Sequence, residues 1–125
     1  MQPVILYITA ATPEEAASIG RTLVEERLAA CANILGGITA FYRWEGAVQQ
    51  GAETALIVKT RVGLVEPATE RIKALHGSTC PCVVALPVQG GNPDFLDWIA
   101  AETESRASQQ GPGDRQGPSD QQGTP

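Results

Sequence analysis

Seven residues, His76-Gly77-Ser78-Thr79-Cys80-Pro81-Cys82, hold the only histidine of the chain and two of its three cysteines. An imidazole and two thiols are soft donors of the kind that Cu(I), Cu(II) or Zn(II) select. A closed structural zinc site needs four ligands and uses C-x₂₋₄-C spacings in pairs. Here C-x-C occurs once, and His76, Cys80, Cys82 and Cys31 are the whole His/Cys supply. The spacing argues against a closed zinc site and leaves an open or shared site for a loosely held metal, with no metal required for folding. The plain structural reading competes with it. His76 followed by Gly77 also suits a helix end, with the glycine in a left-handed cap and a cationic ring against the helix dipole.

Covalent chemistry has less to stand on. Cys31 and His76 are the only nucleophile–base candidates, and Cys31 lies in "AACAN", among small apolar neighbours that suit a core thiol. "QGGN" (Gln89–Asn92) reads as a turn before a capped helix, and no phosphate-binding glycine loop of recognised spacing is present. The expectation is a protein that is not an enzyme.

The elements that position these residues follow from periodicity. "PVILYIT" is a β-branched apolar run, read as a strand. Thr12, Pro13 and Glu15 make a capping box, with Ala16, Ile19, Leu23 and Leu28 on one stripe of a helix expected from Pro13 to about Ala29. "CANILGGITAFYRW" and "AETALIVKTRV" read as the arms of a long hairpin joined by "EGAVQQG", with a bend or bulge at Gly36-Gly37. A second helix is expected near Leu64 to Leu75, with Pro67 in its first turn. "CVVALPV" reads as a short edge strand, and Asn92-Pro93-Asp94 opens a terminal helix.

This order predicts an α+β, ferredoxin-like βαββαβ domain over residues 1–104, with an antiparallel sheet, both main helices on one face and an extra C-terminal helix. Residues 105–125 are Gly-, Pro- and Gln-rich and read as a disordered tail. One sheet face and two strand edges are left bare, and Phe41, Tyr42 and Trp44 sit near the hairpin tip. Exposed aromatics on an overlong hairpin point to a homo-oligomer, the alternative being that they fold back on the terminal helix. Net charge is −5 and no basic cluster interleaves with aromatics, which argues against nucleic acid. No run approaches the ~18 apolar residues of a membrane span. The apolar start has no basic segment before it and reads as a strand rather than a signal peptide. With an odd number of cysteines, a reduced cytoplasmic protein is expected.

At these residues the sequence resembles the CutA family of divalent-cation tolerance proteins. "LAACANI" (28–34), "YRWEG" (42–46), "LIVKT" (56–60) and the spaced "LPV..GN..FLDWI" from Leu86 to Ile99 carry the resemblance, in this order along the chain. It implies a ferredoxin-like homotrimer of PII-like architecture, paired between subunits through the long hairpin and associated with copper and other divalent metals. The family pattern His-Pro-Tyr-x-x-Pro-Glu is only partly kept. His76 and Pro81 match, while Gly77, Ser78 and Cys82 replace Pro, Tyr and Glu, and Cys80 is an extra thiol. A softer ligand set shifts the expected preference toward Cu(I) or Zn(II). PII-like trimers also suggest a second function: an adaptor binding a small molecule or protein at subunit clefts, with Tyr42, Trp44 and Lys59 as wall residues.

Overall fold

The computed structural model describes residues 1–108. Four strands, β1 (Pro3–Ala10), β2 (Cys31–Trp44), β3 (Ala47–Arg61) and β4 (Val83–Pro87), form one sheet in the order β2-β3-β1-β4. Every neighbouring pair is antiparallel. Helices α1 (Pro13–Glu25) and α2 (Val65–Leu75) are the two crossovers, and α3 (Pro93–Ser108) follows β4. The α+β architecture expected from the element order is the one observed. α3 continues to Ser108, past Glu104, where the sequence placed the end of the domain. The remainder of the expected tail lies outside the described residues.

Alternation along the strands assigns the two sheet faces. Leu6 and Ile8 of β1 with Leu56 and Val58 of β3 form one core with Ala16, Ile19 and Leu23 of α1 and Ala68 and Ile72 of α2. Ile5, Tyr7 and Thr9 alternate with the core residues of β1 and therefore belong to the opposite face. That face is not wholly bare, as the sequence suggested. α3 crosses one end of it, where the Arg61 guanidinium donates to Thr103 Oγ1 (2.9 Å) and to the Ala100 carbonyl (2.7 Å). The other end stays open, with Val84 and Leu86 of edge strand β4 about half exposed.

Two boundaries differ from expectation for local reasons. α1 stops at Glu25, four residues short, because Arg27 adopts a left-handed conformation (φ 59°). The Leu28 N–H then donates to the Leu23 carbonyl and the Arg27 N–H to the Val24 carbonyl, the paired bonds of a Schellman cap. Arginine holds the position usually taken by glycine, and its guanidinium is fixed by the Glu102 carbonyl at 2.8 Å. The hairpin link is also shorter than "EGAVQQG". Glu45 (φ 52°) and Gly46 (φ 83°) alone make the turn, and Gln50 and Gly51 stay paired with Phe41 and Ala40. The bend expected at Gly36-Gly37 is a bulge, with a register shift between Ile34 and Gly36. No helix among the described residues is long and apolar enough to cross a membrane.

Candidate functional site

The turn from α2 into β4 is held by a network that begins at a helix start. Thr12 Oγ1 accepts the Glu15 N–H at 3.0 Å, as a capping box requires. The reciprocal arm is different: Glu15 Oε1 accepts the Ala11 N–H (2.8 Å) and Oε2 accepts the Gly77 N–H (2.7 Å). The Ala11 bond, with smaller help from Gly77 and the His76 ring, holds the Glu15 carboxyl below its usual range against the opposing effect of burial. A Cβ at Gly77 would lie 3.2 Å from Glu15 Oε2, so glycine serves close approach here. Gly77 does not form the expected left-handed cap. Positive φ among the described glycines is confined to Gly36, Gly46 and Gly91, and His76 itself ends α2 in an extended conformation.

The His76 ring is fully committed. Its Nδ1 accepts the Ser78 N–H at 3.0 Å, so the proton sits on Nε2, which donates to the Thr9 carbonyl at 2.8 Å. Both ring nitrogens are therefore engaged, and neither has a free lone pair to offer a metal. Farther along, the Cys80 N–H donates to Ser78 Oγ at 3.1 Å. Both the Cys80 and the Cys82 side chains are free thiols and exposed.

These residues line one cavity of about 670 Å³ together with Tyr42 and Trp44 of the hairpin and Tyr7 and Glu53 of the sheet. The proposed interface aromatics and the proposed metal ligands thus share a site that the sequence treated as two. Phe41 is not part of it. Tyr42 and Trp44 fall on one face of the hairpin, and Phe41 falls on the other, 68% exposed. Among the described residues none of α3 lines the cavity, so Tyr42 and Trp44 face it without the terminal helix.

Cys31 is elsewhere. It pairs with Lys59 at the far end of β3, whereas Thr9, the His76 contact, pairs with Ala55. Four strand positions separate the two levels, about 13 Å at ~3.3 Å per residue. The Cys31 thiol lies 4.0 Å from Lys59 Nζ and 3.6 Å from Asn33 Oδ1, and is partly exposed rather than a core thiol. The Cys31–His76 nucleophile–base pair is therefore not assembled within the chain. Lys59 likewise joins a second cavity, about 540 Å³ between α3 and the sheet, and not the one walled by Tyr42 and Trp44. Among the described residues, no group of three or more His, Cys, Asp or Glu side chains is arranged to hold a metal. Glu15 and Glu53 were not singled out in the sequence as site residues. Glu53 was findable in principle, because it lies opposite Ile38 on the Tyr42–Trp44 side once the register is known.

Comparison with known proteins converges on one description. The model of the CutA1 divalent ion tolerance protein family matches residues 4–102. The "Divalent-cation tolerance protein CutA" of Thermus thermophilus is 48% identical over 103 residues, 82% of this chain and 99% of that protein. "Protein CutA, chloroplastic" of Arabidopsis thaliana is 41% identical over 102 residues, and the aligned part is 56% of its length. Among solved structures, the periplasmic divalent cation tolerance protein CutA of Archaeoglobus fulgidus superposes with a TM-score of 0.78 at 42% identity, covering 81% of this chain and 98% of that one.

Proposed function

The chain belongs to the CutA1 divalent ion tolerance family, and on that premise we propose that it acts as a homotrimer that binds metal ions, copper among them, reversibly and without catalysing a reaction. The observation that carries the reading is the cavity where His76, Cys80 and Cys82 meet Tyr42 and Trp44. Assembly is supported by what one subunit leaves open. β2 and β4 are both sheet edges, and Trp44, Val84 and Leu86 are each about half exposed. Unpaired edges beside apolar surface are what a second copy of the chain would cover. The separation of Cys31 from His76 supports a protein without nucleophilic catalysis. Three free thiols suit a reducing compartment, and we place the protein in the cytoplasm on that ground.

A second reading rests on the same cavity. Its volume of about 670 Å³ lies in the range of small-molecule sites, and Tyr7, Tyr42 and Trp44 give it aromatic walls. One experiment separates the readings. The protein is purified without added metal and examined by native mass spectrometry, alone and with Cu(I) under reducing conditions, Cu(II) or Zn(II). With at least one of these ions the trimer mass should gain metal that a chelator removes, with the melting curve unchanged because the metal is not structural. A co-purifying organic molecule with no metal uptake would favour the adaptor, and a monomer at micromolar concentration would sink the assembly.

A further inference from the structure

We propose that the metal site of this chain is the thiol pair Cys80–Cys82 alone, and that it selects monovalent, thiophilic Cu(I) over divalent ions. The proposal rests on the metal-binding reading above and replaces its ligand set. His76 is a positioning residue, not a ligand.

Three observations lead there. The imidazole is spent: Nδ1 accepts from Ser78 and Nε2 donates to Thr9, so coordination would cost the turn both bonds. No third His, Cys, Asp or Glu joins the thiols in a ligand set among the described residues, and Cys31 is at the other end of the sheet. Cys80 and Cys82 nevertheless both line the same cavity, one residue apart, with Pro81 between them. Two sulfur donors cannot satisfy Zn(II), which takes four ligands, or Cu(II), which prefers tetragonal nitrogen and oxygen sets. They can complete the linear two-coordinate sphere that Cu(I) accepts. Binding is Cu(I) plus two thiols giving a bis-thiolate complex and two protons, with no change in copper oxidation state.

The test uses the full chain, reduced and handled without oxygen. Cu(I) is titrated against a chromogenic Cu(I) chelator, Zn(II) is titrated separately, and X-ray absorption is recorded on the copper-loaded protein. One Cu(I) per chain should bind, with a sulfur-only shell and a two-coordinate edge. Cys80→Ser and Cys82→Ser should each weaken Cu(I) binding by about 100-fold or more, Cys31→Ser should stay within about threefold, and His76→Gln, which loosens the turn without removing a ligand, should lose clearly less than either cysteine variant. Circular dichroism on each variant establishes that it is folded. A nitrogen or oxygen ligand in the absorption spectrum, or a loss in a folded His76→Gln equal to the cysteine losses, overturns the thiol-pair assignment. If Zn(II) binds tightly and both serine variants retain it, the metal-binding reading stands and this inference falls. If the parent binds neither ion, both fall.

Discussion

Glu15 does two jobs with one carboxylate, and its charge state can be tested. One oxygen closes the start of α1 through Ala11, and the other holds the Gly77 N–H and so the turn that carries both thiols. Since the folded-state carboxyl titrates below its usual 4.5, its contribution is fully present above that value and is lost as pH falls through the lowered one. Glu15→Gln keeps the shape and removes the charge. It should cost about 1 kcal/mol at neutral pH, and the difference from the parent should shrink as pH falls below 4.5, as read from urea midpoints. A difference that stays constant down the acid range would show that the carboxylate charge is irrelevant.

At the scale of elements, the end of α1 shows a local rule overridden by a distant contact. Helical periodicity continues through Leu28, and no glycine marks a stop. Arg27 nevertheless turns left-handed, which costs a residue with a side chain roughly 1 kcal/mol. Its bond to the Glu102 carbonyl and its 3.5 Å approach to the Glu102 carboxylate tie α1 to α3 and offset that cost. Arg27→Ala keeps the strain and loses the tie, whereas Arg27→Gly loses only the tie. The glycine variant should therefore be about 1 kcal/mol more stable than the alanine variant by denaturant unfolding. The reverse order would mean that the left-handed cap is not populated in solution.

For the whole molecule, the open half of the second sheet face is the dominant feature. α3 covers the end near Arg61, leaving the hairpin and β4 exposed beside a cavity that holds the thiols. If a neighbouring subunit closes this region, Trp44 is a natural anchor, because it lies at the hairpin tip facing the cavity. Trp44→Ala should weaken the proposed trimer by about 2–4 kcal/mol, seen as dissociation at low micromolar concentration in sedimentation equilibrium. An unchanged assembly would place the interface elsewhere, with the cavity left free for a ligand.

The element order, the bulge at Gly36, Pro67 in the first turn of α2 and the edge position of β4 were legible in the chain. Each depends on a property of neighbouring residues: apolar period, turn chemistry or a missing N–H. The resemblance to CutA was legible too, from short motifs in a fixed order. Three decisions required the folded structure, because each joins residues distant in sequence. Cys31 and His76 are parted by the register of β2 and β3 against β1. The His76 imidazole is committed to a carbonyl of β1, 67 residues away. Tyr42 and Trp44 line one cavity with Cys80 and Cys82, on a hairpin whose true turn is only Glu45-Gly46. The sequence determined which soft donors the protein owns, and packing decided which of them remain free to bind.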